Sequence, residues 1–215
     1  MASLAVRSSG YFFRRAIKFL GIILGVAAFI VGEMFVLNFG EESMIESILL
    51  WAVVGPAMMA SILNMTYSLY SVSWQDSMVL AMGARRRDIF WGEIIQTAVI
   101  LGGSLLVDVI LVLATNQQYM FPIIGLMYSF ALPVGATAMV VAHKLQKYGR
   151  VVMMIFVVIA AVMGGMIGGT AASGNVFFFN WFAATPVVAV AAVSVVVYLL
   201  LEVWVYQLNK TSMVH

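Results

Sequence analysis

Apolar runs long enough to cross a lipid layer alternate with short polar segments along almost the whole chain. Six such runs can be drawn: Phe19 to Phe39, Ile48 to Tyr70, Ile94 to Thr115, Phe121 to Ala142, Val151 to Thr170 and Trp181 to Tyr206. A hydrocarbon core of ~30 Å takes about 20 helical residues to cross. The runs do not switch between apolar and polar at every second position, as the strands of a membrane barrel must. A helix satisfies its own backbone hydrogen bonds in lipid. The pattern therefore predicts an all-α fold: a polytopic membrane helical bundle of about six transmembrane helices. With no internal repeat or low-complexity linker, residues 1–215 read as a single transmembrane domain.

Composition agrees. The chain is 64% hydrophobic and only 9% charged, whereas a soluble domain is about half apolar and a quarter charged. There is no cysteine, so a disulfide framework, a thiolate metal site and a thiol nucleophile are all excluded. With His143 and His215 as the two histidines, no polyhistidine metal site is expected. A net charge of +2 gives no reason to expect nucleic acid as a partner.

The placement of charge says more than its sum. Arg7, Arg14, Arg15 and Lys18 precede the first run, Arg85, Arg86 and Arg87 separate the second and third, Lys144, Lys147 and Arg150 separate the fourth and fifth, and Lys210 follows the sixth. With six spans all 11 basic residues fall on one side, and the positive-inside rule makes that side cytoplasmic. Both termini are thus expected in the cytoplasm of a cell whose plasma membrane holds the chain. The opposite loops carry Glu41, Glu42 and Glu46 and no lysine or arginine. A cleaved signal peptide is not the reading of the N-terminus, because its apolar run is too long and lacks a cleavage site.

Two flanks admit alternatives. "GYFFRRAIKF" interleaves aromatics with bases and reads either as an amphipathic N-terminal helix on the membrane surface or as a basic flank that only sets topology. "AASGNVFFFNWFAATP" reads either as a re-entrant segment or as the aromatic belt of the last helix.

The connection between the second and third runs, "SVSWQDSMVLAMGARRRDIFWGE", is ordered as a short helix requires. Ser73 with Asp76 forms a capping-box pattern. Trp74, Met78, Val79 and Met82 fall near one helical face. Gly83 supplies a left-handed cap, and Arg85, Arg86 and Arg87 form a basic hinge. Such an amphipathic element suits docking into a partner's groove; the alternative is a surface helix that closes a loop, with the arginines as anchors.

The run "MVLAMGARRRDIFWGEIIQ", preceded by two spans and followed by four, resembles small permeases of the type-two ATP-binding-cassette (ABC) exporter family. The resemblance extends to the layout of six spans and short outer loops. It implies a cytoplasmic coupling helix between helices two and three, packed on a separate ABC ATPase, with Trp74, Asp76, Met78, Val79, Met82, Gly83 and Arg85 to Arg87 as the coupling residues. It also implies a second permease chain, identical or homologous, and no cofactor on this chain, since ATP and magnesium belong to the ATPase. The sequence has no Gly-rich phosphate loop, so no enzymatic activity is expected of this chain. A similar phrase occurs in the four-helix permeases of macrolide exporters, which carry a large external domain that is not seen here.

Inside the spans, Glu33, Asp108 and Glu202 stand out, because a charge at mid-depth costs at least ~2.5 kcal/mol. They either line a pathway or pair and snorkel. Gly21 with Gly25 and Gly164 with Gly168 space small residues one turn apart for close helix packing. Gly55 with Pro56, and Pro133, predict kinks. The expected function is an export permease for a hydrophobic or amphipathic substrate, such as a peptide, a lipid-linked compound or a drug. The alternatives are a proton-coupled secondary transporter, for which no inverted repeat is found, and a non-transporting immunity or assembly protein.

Overall fold

A computed structural model describes residues 4–37, 39–40, 44–72, 76–81, 83–149, 151–152, 154–155, 158 and 186–211. Its helices with defined bounds are α1 (Leu4–Leu37), α2 (Met44–Tyr70), α3 (Asp76–Ala81), α4 (Arg86–Ala114), α5 (Phe121–Tyr148) and α6 (Val187–Thr211), with a 3₁₀ turn at Gln118–Met120 before α5. Five of these, all but α3, are long and apolar enough to cross a membrane. No strand occurs among the described residues. Most of the expected fifth span, the aromatic stretch after it up to residue 185 and the Gly164 and Gly168 pair lie outside the described residues.

Local chemistry sets the ends. The amide of Arg85 donates to Asp88 Oδ2 at 3.1 Å and so starts α4. That start is eight residues ahead of the expected Ile94, because a carboxylate in the first turn also favours the helix dipole. Asn116 in the left-handed region (φ 56°) turns the chain after α4. Pro122 sits in the first turn of α5, where its missing N–H costs nothing, and Gly149 at φ 65° ends that helix. Pro56 and Pro133 both lie inside helices, as read.

One expectation needs correction. The N-terminal basic and aromatic stretch is not a separate helix lying on a surface. It continues unbroken into the first span as α1, and Phe12 and Ala16 are fully buried in the bundle. No proline interrupts the stretch, and Gly92 of α4 leaves the space that the Phe12 ring fills.

α2 and α5 are central: half of the apolar stretch of each is buried, against 11% for α1 and 17% for α6. The main core joins Ala16 and Ile23 of α1, Val53, Ala57 and Ala60 of α2, Ile100 and Val112 of α4, and Ile124 and Ala131 of α5. Contacts between named residues fix the directions. Leu20 packs by Gly103, and Phe12 by Gly92, so α1 and α4 run parallel. Val187 lies by Gly125 at one end and Asn209 by His143 at the other, so α5 and α6 are also parallel neighbours. Thr97 meets Asn64, and Glu93 meets Ser71, so α2 and α4 are antiparallel. These directions gather the start of α1, all of α3, the start of α4 and the C-terminal ends of α2, α5 and α6 at one end of the bundle. The basic residues of the described helices lie there.

Candidate functional site

At this basic end α3 is seated rather than free. Val79 is buried with Phe12 of α1 and Ile89 of α4, with Leu80 and Ala84 packed alongside. Gly83, at φ 90°, closes the helix: its amide donates to the Leu80 carbonyl at 2.9 Å and that of Ala84 to the Val79 carbonyl at 3.2 Å. This doubled bond is the glycine-dependent Schellman stop. The next residues divide by direction. Arg85 and Arg87 are exposed, whereas Arg86 reaches the far end of the chain, donating to the carbonyls of Lys210 at 2.9 Å and Asn209 at 3.4 Å. Those carbonyls end α6, where the helix dipole favours a cation.

Two sequence groupings are corrected here. Met78 and Val79 do not share one outward face: Met78 is exposed, while Val79 is an internal anchor, because adjacent helical positions point about 100° apart. The three arginines are not one hinge, since Arg86 is committed to α6. Asp76 opens α3; Ser73, Trp74 and Met82 lie outside the described residues.

A second constellation runs between the central helices. On α4, Glu93, Gln96, Thr97, Ser104 and Asp108 are all buried. Positions 93, 97, 104 and 108 recur at helical spacing on one face. Opposite them lie Asn64 and Ser68 of α2 and Ser71 just beyond its end, also buried. Ser71 Oγ donates to Glu93 Oε1 at 3.0 Å, and Thr97 Oγ1 to Asn64 Oδ1 at 3.2 Å. Asn64 Nδ2 reaches the Ala131 carbonyl of α5 at 3.4 Å, where Gly135 gives it room. Further along, Tyr128 of α5 donates to Asp108 Oδ2 at 2.8 Å. Asp108 Oδ1 and both amide atoms of Gln96 are buried without a hydrogen-bond partner among the described residues. Buried polar atoms of this kind are costly, so a seam of them across a membrane bundle reads as functional.

Depths follow from the helix start. Asp108 lies about 33 Å along α4 from Arg86, and Glu93 only about 10 Å along. Glu202 of α6 is buried close to Tyr198. Glu33 is exposed on α1. Gly21 and Gly25 make no close approach to another described helix: a side chain at either would meet open space. The close helix approaches are instead at Gly92, Gly103 and Gly135.

The chain matches no protein-family model, and comparisons with curated proteins and with solved structures found no match either.

Asn64, Glu93, Gln96 and Thr97 were not singled out from the sequence. Their signal was present as polar residues recurring every three or four positions in apolar runs. The basic end holds a further pairing that the sequence did not suggest, His143 Nε2 with Asn209 Oδ1 at 2.8 Å, beside Gln146 Nε2 donating to the Val72 carbonyl of α2.

Proposed function

We propose that this chain is the membrane-spanning permease subunit of an ATP-driven exporter of the type-two ABC kind. In this reading it crosses the plasma membrane six times with both termini cytoplasmic, pairs with a second permease chain and moves a hydrophobic or amphipathic substrate. ATP and magnesium are held by a separate ATPase. The observation that carries the reading is the seat of α3. Met78, Arg85 and Arg87 face outward, and behind them Val79 bears on α1 and α4 while Arg86 holds the end of α6. A push on that outer face reaches three membrane helices through packed side chains, which is what a coupling element requires. The sixth crossing is supported by the parallel α5 and α6: a chain leaving α5 at the basic end re-enters α6 at the opposite one, and residues 151–170 are apolar enough to make that return.

The test is co-purification with the cognate ATPase. Met78→Glu combined with Arg85→Glu and Arg87→Glu is expected to abolish the complex and substrate-stimulated ATP hydrolysis while leaving thermal unfolding of the isolated permease unchanged. Full retention of complex and stimulation overturns the reading.

A second reading, a proton-coupled transporter, is favoured by one observation: the buried carboxylates of Glu93, Asp108 and Glu202. It predicts that Asp108→Asn or Glu202→Gln abolishes transport driven by a pH gradient in vesicles that contain no ATPase. Transport that needs ATP and ignores the gradient rules it out.

A further inference from the structure

A groove of about 820 Å³ runs along the outside of α1 near its N-terminal end, within the usual size of a ligand site. Its residues lie on two adjacent rows of the helix, each stepping by four positions. One row places Arg14 and Lys18 above Ile22, and the other places Tyr11 and Arg15 above Phe19. Arg14, Lys18 and Ile22 are exposed, while Arg15 and Phe19 are half-buried. The groove thus has a cationic upper part and an apolar foot, and no acidic side chain is among its described lining residues.

Arg15 is held in place by aromatic neighbours. Its guanidinium lies 5.5 Å from the Phe19 ring centre and 5.0 Å from that of Tyr67 on α2, and it donates to the Tyr11 hydroxyl at 3.1 Å. The guanidinium is thus engaged within the protein on its faces and through a donor, and the exposed Arg14 and Lys18 are the groups placed to grip phosphate oxygens, with Arg15 adding positive charge behind them. The depth is also right. From Phe19 to Leu37 the helix covers about 28 Å, close to the ~30 Å hydrocarbon core. Arg14, Arg15 and Lys18 therefore stand at the level of the lipid phosphates, and Phe19 and Ile22 at the level of the first acyl carbons.

We infer that this groove is a binding site for an anionic phospholipid of the bilayer, its phosphate held by Arg14 and Lys18 beside Arg15 and its acyl chain lying on Phe19 and Ile22. The occupant is a lipid rather than a soluble phosphate because the apolar foot continues directly below the cations, toward the hydrocarbon. The inference needs the chain to span a membrane and is independent of its being a permease.

The test uses full-length protein in nanodiscs of phosphatidylcholine alone or of phosphatidylcholine mixed with phosphatidylglycerol, with native mass spectrometry counting the lipid retained on release. Wild type is expected to retain phosphatidylglycerol in preference to phosphatidylcholine. Each cation neutralised is expected to weaken that preference about fivefold, from ~1 kcal/mol per basic residue near a charged surface. Arg14→Gln/Lys18→Gln then loses most of it, and Arg14→Lys/Lys18→Arg keeps it. Thermal unfolding with added glycerol phosphate separates the sources, and no rise in midpoint is expected. Equal retention of the two lipids by wild type, undiminished preference in the glutamine variant, or stabilisation by glycerol phosphate equal to that by phosphatidylglycerol overturns the assignment.

Discussion

Tyr128 donates its hydroxyl to Asp108 at 2.8 Å across the α4 and α5 contact, leaving the other carboxyl oxygen with no hydrogen-bond partner among the described residues. Removing the donor leaves a buried polar group worse off than removing both groups together. Tyr128→Phe is expected to destabilise the bundle by about 1–3 kcal/mol. Asp108→Asn keeps an acceptor for the hydroxyl and is expected to cost less. The pair Asp108→Leu/Tyr128→Phe is expected to recover part of the loss. A double-mutant cycle by thermal unfolding in lipid measures the coupling, and strictly additive losses would contradict it.

The ring of Phe12 fills the space over Gly92, leaving no room for a methyl group there. Gly92→Ala is expected to cost about 1–3 kcal/mol through overpacking. Phe12→Ala in the same chain is expected to make that alanine tolerable. Gly21→Ala, by contrast, is expected to leave the melting midpoint of the monomer unchanged, because a methyl group there meets no described residue.

Gly83→Ala tests the stop of α3. A side chain at φ 90° is strained by roughly 1–2 kcal/mol, and the relief available is to extend or reorient α3. In the exporter reading, this variant is expected to keep the ATPase bound but to lower the transport achieved per ATP hydrolysed. Equal coupling ratios for variant and wild type would count against α3 as the lever.

Arg86→Ala removes the bonds from the start of α4 to the end of α6. The site is partly exposed, so the expected stability loss is small, about 1 kcal/mol. The larger effect is expected in hydrogen exchange, where the amides of the last turn of α6 lose protection while those of α5 keep theirs. Arg86→Lys is expected to restore part of that protection.

Much of the architecture was legible in the sequence. Hydropathy alone located the cores of the five described spans, since a long apolar helix satisfies its own backbone hydrogen bonds in lipid. Gly83 was readable as a cap because few other residues adopt its backbone conformation at low cost. The start of α4 was not, because Arg86 to Glu93 is too charged for a hydropathy window, although Asp88 marks a helix start. The seam was missed for a different reason. Glu93 and Asn64 gain meaning only from facing helices, and sequence spacing reports which residues share a face but not what that face meets. The same limit hid the split between Met78 and Val79, whose directions are set by the Phe12 ring of a distant segment.

Arg86 draws its two acceptor carbonyls from residues more than a hundred positions later in the chain. During synthesis this clamp between the start of α4 and the end of α6 therefore cannot form until α6 has left the ribosome. The packing of Val79 on Phe12 and Ile89 needs only earlier parts of the chain, so the corner is seated first and clamped to its distant neighbour later.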